Sequence, residues 1–204
     1  MEIMNTMKKQ TLELIEKIKK DLQEMLSEKR YNHSIGVMNK AIELAKIYGV
    51  DENKAALAGL THDIAKEIPD EEALKLASDN NVEIDDFIKN INHKLLHGKI
   101  GAVIVKQRYG FDEQIQKAIE FHTEGTPDFD MLGKIVFVAD KTEDLRKAPA
   151  EIDIWRKISK EDIDEAIIQI INFNIKKLIE EKRLIDLTCI LTRNKLMMNR
   201  HLSY

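Results

Sequence analysis

The 204 residues are 43% hydrophobic and 33% charged, enough apolar material for one sizeable core without a disulfide or a partner. A formal charge of −4 and a pI near 5.9 argue against a broad cationic footprint for nucleic acid or an acidic membrane, so an anionic substrate would have to meet locally gathered cations. Eight Gly, three Pro and 5% aromatic residues leave few turn-formers, and the composition predicts an all-α fold built from amphipathic helices.

Cys189 is the single cysteine and excludes an intramolecular disulfide; it reads as a small packed residue of a terminal helix. The opening MEIMNTMKKQ lacks the apolar run and cleavage site of a secretory signal. No stretch reaches the ~18 uninterrupted apolar residues of a membrane span. These features predict a cytoplasmic protein with no membrane partner.

Along the chain, Leu12, Ile15, Ile18, Leu22, Met25 and Leu26 recur at helical spacing and predict a first helix. A second runs from about Tyr31 to Tyr48, with His33 in its first turns and Gly49 as a stop. Asp51 caps a third, rich in small residues, which is expected to end near Lys66 with His62 and Asp63 in its last turn. Short helices follow at about 70–80 and 84–91 and suggest a lid-like excursion. LLHGKIGAVIVKQRYG carries His97 near its start, and Asp112 caps EQIQKAIEFH, which ends on His122. Asp130 caps MLGKIVFVADKTEDL, with Asp140 inside it, and IVFV is assigned to helix because it is short and has helical neighbours. Beyond Pro149, SKED reads as a capping box at Ser159 and Asp162 that opens a long helix to about Lys182, and a last helix runs from Ile185 to Leu196. No repeat or linker interrupts this series. The expectation is one domain over 1–204: an N-terminal helix at about 8–28, a core at about 29–150 and C-terminal helices at about 159–197, roughly eight to ten helices in all.

Imidazoles and carboxylates together suit iron, manganese, cobalt or zinc, whereas an oxygen-only set would suit magnesium or calcium. Neighbouring helical side chains point ~100° apart, so His62 and Asp63 can converge on one ion only near a helix end. His33 and Asp140 would then reach that ion from other helices. An HD dipeptide alone is weak, and its bland reading is a histidine at a helix C-terminus beside a solvated acid. The case rests on the order His33, His62-Asp63, His97, His122 and Asp140, each on or beside an apolar helix.

On these residues the chain resembles the HD-domain metal-dependent phosphohydrolases. RYNHSIGVMNKAIELAKIYGVD, AALAGLTHDIAKEIP, LLHGKIGAVIVKQRYG, AIEFHTEGTP and LGKIVFVADKTEDLR are similar, in order, to blocks of the YqeK-type family of symmetrical bis(5'-nucleosyl)-tetraphosphatases, over about residues 20–190. The resemblance implies an HD-type helical bundle that splits diadenosine tetraphosphate into two ADP by attack of a metal-activated hydroxide at an iron-containing dinuclear centre. It matches His33, His62, Asp63 and Asp140 to the first metal, lets Asp63 bridge, and gives His97 and His122 to the second. Asp63 is thus both ligand and catalytic residue. Manganese, cobalt and zinc fit the same donors.

A tetraphosphate also needs cations. Lys66 lies one turn after His62, and Arg30 and Arg146 could clamp phosphate oxygens through their planar forks. Two departures from the family pattern bear on substrate: Thr126 replaces an Arg after the glycine of the HTxGxP block, and KTEDLR keeps Glu143 and Arg146 without a Pro-Gly turn. His93, four residues before His97, competes with it by spacing, and the LLHG block selects His97. Other readings stay open: a phosphohydrolase of a nucleoside monophosphate or cyclic dinucleotide, a non-catalytic metal and nucleotide sensor, or a purely structural helical protein. A homodimer is equally compatible with the sequence.

Overall fold

The computed structural model describes residues 9–201, with the His201 side chain outside that description. Eleven α-helices occur among the described residues: α1 (Lys9–Met25), α2 (Glu28–Tyr48), α3 (Glu52–Thr61), α4 (Asp70–Asp79), α5 (Asp86–Asn90), α6 (Leu96–Tyr109), α7 (Glu113–Glu120), α8 (Met131–Thr142), α9 (Ile152–Glu161), α10 (Ile163–Glu180) and α11 (Leu187–His201). A 3-10 turn at His93–Leu95 leads into α6. No strand occurs among them, so IVFV is helical as expected.

The buried side chains form one cluster that runs from Ile15 of α1 to Leu196 of α11. At its centre α2 packs on α3 and α8, and α7 packs on α6 and α8, so five helices converge where the histidines lie. Aspartate caps fix where several of them begin. Asp51 accepts from the amide of Asn53, Asp112 from Ile115 and Asp130 from Gly133 at 2.8, 3.1 and 2.7 Å, each satisfying a donor that a helix start leaves open.

Three expectations are corrected. Helix α3 ends at Thr61, four residues before Ala65, and the chain continues through tight turns in which the Ile64 amide donates to Thr61 O and the Lys66 amide to Asp63 O, at 3.0 and 2.9 Å. Buried Ile64 and Ala65 preserve the apolar period after the helix has stopped, which is why the spacing overran it. Ser159 opens no helix: it lies buried inside α9, its hydroxyl donating to Arg156 O, and Asp162 alone caps α10 by accepting from the Glu165 amide at 2.9 Å. The segment at 70–91 is no lid. Ala73, Ala77 and Ile88 are buried in the common core, and α4 packs on α6.

No helix among the described residues is long and apolar enough to cross a membrane.

Candidate metal centre

Five helices deliver six side chains to one buried cluster. His33 comes from α2, His62 and Asp63 from the turn after α3, His97 from the first turn of α6, His122 from the turn after α7 and Asp140 from the last turn of α8. All but His33 are buried, and His33 is 11% exposed at its side chain. These are the six residues that the sequence singled out, and the fold brings them together.

Three of the imidazoles are aimed by the same local device. Nδ1 of His62, His97 and His122 donates to the backbone carbonyl three residues earlier, Gly59, Lys94 and Ile119, at 2.8, 2.5 and 2.6 Å. Each Nδ1 therefore carries the proton and each Nε2 presents a lone pair to the centre. His33 is aimed differently, with Nδ1 donating to Glu143 Oε1 at 3.1 Å and Nε2 lying 3.0 Å from Asp140 Oδ1.

Asp63 stands between two histidine pairs. Its Oδ2 is 3.4 Å from His62 Nε2 and 3.9 Å from His33 Nε2, and its Oδ1 is 3.1 Å from His97 Nε2 and 3.5 Å from His122 Nε2. Asp140 Oδ1 reaches His33 and His62, at 3.0 and 3.7 Å. Three overlapping trios, His33-His62-Asp63, His62-His122-Asp140 and Asp63-His97-His122, each keep their ligand atoms within 4.8 Å of one another.

The donor set fits a cation, and two of its atoms lack any other partner that would satisfy them. Nε2 of His62 and Oδ1 of Asp63 are buried without a hydrogen bond, which is costly unless something positive meets them. Nε2 of His97 and Nε2 of His122 face each other at 3.0 Å, two lone pairs turned to one point that a shared cation would satisfy. A mixed imidazole and carboxylate set of this kind suits a transition metal.

Burial pushes His122 down to about 3 and also lowers His97 against the pull of Asp63, so both rings stay neutral and ready to donate their lone pairs. Burial alone would raise the Asp63 and Asp140 carboxyls. The groups around them outweigh it, His62 first for Asp63 and Lys141 first for Asp140, and hold both well below the usual carboxylate range.

Four cations ring this cluster. Arg30 donates to Asp63 Oδ2 at 2.6 Å, Lys66 to His97 Nε2 at 3.0 Å, Arg146 to Asp140 Oδ1 at 2.8 Å, and Lys141 to Asp140. The first, second and third were expected near the site. Lys141 was missed, as were Glu143 as the partner of His33 and Thr123, whose hydroxyl donates to His122 Nε2 at 3.1 Å. Lys141 and Glu143 flank Asp140 at one and three residues, so adjacency to a ligand was the signal available. His93 stays away from the cluster, bonded to Lys89 O and 3.5 Å from Asp70. Thr126 lines a separate groove between α7 and the start of α8.

A helical fold with buried histidine and aspartate trios at its centre defines an HD-type domain, and the chain belongs to the HD-domain family, whose model matches residues 30–145. Within that family its relatives are of the YqeK type. A protein from Bacillus subtilis named symmetrical bis(5'-nucleosyl)-tetraphosphatase is 36% identical over 86% of this chain and 94% of its own length. One of the same name from Halalkalibacterium halodurans is 38% identical over 86% and 92%. A crystal structure from Clostridium acetobutylicum, described as a predicted HD superfamily hydrolase involved in NAD metabolism, superposes with a TM-score of 0.86 at 38% identity, covering 90% of this chain and 97% of that one. Family and buried cluster together indicate a metal centre.

Proposed function

We propose that the chain hydrolyses diadenosine tetraphosphate symmetrically to two ADP at a dinuclear centre, with iron as the resident metal. The observation that carries this reading is the placement of Asp63, one carboxylate oxygen toward His33 and His62 and the other toward His97 and His122, beside a cleft bearing four cations. His33, His62, Asp63 and Asp140 would hold one ion, and Asp63, His97 and His122 the other. When bound, such a pair supplies an acidified water and neutralises charge that builds on the phosphoryl oxygens. Iron is the family's expectation, and the donor set suits manganese, cobalt or zinc as well.

The chain's own residues bind and orient the substrate. Lys66, Lys141, Arg30 and Arg146 reach phosphate oxygens from the cleft wall, Arg146 and Arg30 through planar forks and the lysines as point charges. Burial lowers Lys66, with Lys141 and Arg30 adding to it against the pull of Asp63 and Asp140. Water adds to the phosphorus of the second phosphate, the bond to the bridging oxygen breaks, and that oxygen leaves with the second ADP; one water yields two identical products. A cytoplasmic location belongs to the same reading, since Cys189 is a free thiol that calls for no oxidising compartment.

The test couples elemental analysis of anaerobically purified protein to product analysis with diadenosine tetraphosphate. About two iron ions per chain and ADP as sole product are expected. Asp63→Ala should abolish turnover and lower bound metal, while Lys66→Ala should chiefly raise KM. Metal without ADP release would transfer the site to a different nucleotide, and retained activity in metal-depleted Asp63→Ala would remove the proposal.

A further inference from the structure

Two cavities open onto the cluster, and they are chemically unlike. The smaller, about 270 Å³, runs from Asp63, Lys66 and Lys141 to a wall of Trp155, Phe173 and Asn174. The larger, about 660 Å³, runs from His33 past Lys29, Asn32 and Lys147 and has no Phe, Tyr or Trp in its lining. Arg30 and Arg146 line both, so the two cavities meet at the phosphate-binding cations. A substrate cut at its midpoint must place a nucleotide on each side of the scissile bond.

The wall of the smaller cavity is built by α9 and α10. Trp155 is buried, and its indole meets the Phe173 ring edge to face, with centroids 5.3 Å apart and planes at 74°. Phe173 is only half-buried, so a fixed indole supports a ring that the cavity can still reach. Asn172 is committed elsewhere, accepting from Arg193 Nε of α11 at 2.5 Å. Two residues on, about 200° round the helix, Asn174 lines the cavity and its amide makes no hydrogen bond among the described residues. A half-buried ring that the cavity reaches, beside an uncommitted amide, is the combination that recognises a nucleobase: a sequence-tolerant stacking face, and one donor and one acceptor for the base edge.

The geometry points to Phe173 and Asn174 as the base-recognition element for one half of the substrate, with the other half held in the larger cavity through its phosphates by Lys29 and Lys147. This rests on the tetraphosphatase reading and adds an asymmetry to it: a symmetric substrate is read closely at one end only. Adenosine 5'-tetraphosphate, which carries one nucleoside, should therefore be cut to ADP and pyrophosphate.

The experiment uses the metal-loaded full chain and compares wild type with Phe173→Leu, Phe173→Tyr and Asn174→Ala. Trp155 is the only tryptophan and touches Phe173, so its fluorescence reports nucleotide arrival in this cavity. Phe173→Leu should raise the ADP dissociation constant and the KM for diadenosine tetraphosphate about tenfold with kcat within about twofold, and Phe173→Tyr should restore both. Asn174→Ala should raise them about fivefold, the value of one ordinary hydrogen bond. Inhibition by pyrophosphate, which has no base, should be unchanged throughout. ADP binding within about twofold of wild type in both Phe173→Leu and Asn174→Ala, or equal losses for ADP and pyrophosphate, would overturn the inference while leaving diadenosine tetraphosphate hydrolysis standing. If wild type makes no ADP from that substrate, the tetraphosphatase reading fails instead, and the contrast between ADP and pyrophosphate still decides the base site.

Discussion

Glu143 shows how much of a metal site lies behind its ligands. Its Oε1 accepts from His33 Nδ1 at 3.1 Å, its Oε2 accepts from the Leu145 amide at 2.6 Å, and the side chain is buried. It fits there because Gly36, one turn after His33 on α2, has no side chain: a Cβ at that position would stand 2.5 Å from Glu143 Oε2. A carboxylate behind a ligating imidazole fixes the ring and raises its basicity, and its loss commonly costs about 10–100-fold in metal affinity. Glu143→Gln and Gly36→Ala should both lower metal affinity by that order in an equilibrium titration, with the far-UV circular dichroism of the wild type. Unchanged affinity in both would reduce Glu143 to packing. The ligands themselves were legible because histidine and aspartate on apolar helices are chemically conspicuous. Glu143 was legible only as a residue kept beside Asp140, since its role as the partner of His33 arises when α8 meets α2. Cys189 makes the opposite case, a reactive residue type that the fold silences. Burial, with Asp186 adding to it, pushes its thiol up to about 11, and the thiol donates to Asp186 O. Alkylation by iodoacetamide at pH 8 should be about a hundredfold slower in the native protein than in the urea-unfolded chain, because so little thiolate is present.

At the scale of elements, the site depends on how closely two helices approach. Gly98 follows His97 at the start of α6, and a Cβ there would lie 2.5 Å from Glu120 O and 3.2 Å from Ile119 O at the end of α7. These are backbone atoms and cannot rotate aside. The same approach brings His97 Nε2 to within 3.0 Å of His122 Nε2. Gly98→Ala should therefore separate α6 from α7, lowering stability by about 1–3 kcal/mol, as overpacking does, and reducing bound metal at the same time. Thermal denaturation and elemental analysis check the two effects together; a less stable protein with full metal content would break the link drawn here. Elements were legible where a local signal sets them, as at Asp51, Asp112 and Asp130, whose caps are bonds between residues two or three apart. They were misjudged where packing decides. The end of α3 is concealed by buried Ile64 and Ala65, and α9 was missed because IDIWRKIS is short, follows Pro149 and gains its apolar face from Trp155 and Ile152 docking into the core.

For the whole molecule, the convergence of five helices on buried neutral histidines makes stability depend on pH in a direction that metal binding steepens. His122, held down at about 3 by burial, and His97, lowered by the same cause, bind fewer protons when folded than when unfolded, where a histidine titrates near about 6.5. Between those values the unfolded chain takes up protons that the folded chain refuses, so stability falls as pH falls through that window. His33 works the other way: burial opposes its charge, but Asp140 and Glu143 raise it, so its contribution is complete below the unfolded value and is lost only as pH rises through the folded one. Asp63, Asp140 and Glu143, all held below the carboxylate range, begin to cost stability only near and below their unfolded values of about 4. From about pH 6.5 down to about 4.5 His97 and His122 therefore lower stability, while Glu124, whose carboxyl burial pushes up to about 7, takes up a proton in the folded state and offsets part of that loss. The urea midpoint of the metal-free protein should drop across that interval, and His122→Gln, which cannot take up a proton when unfolded, should flatten the drop. Metal loading should raise the midpoint most at neutral pH, where protons compete least for the imidazoles, and lose that advantage in acid. A slope that His122→Gln leaves unchanged between those two pH values would mean that the buried ring is not held neutral, and would contradict the neutral, donor-ready cluster from which the hydrolase reading starts.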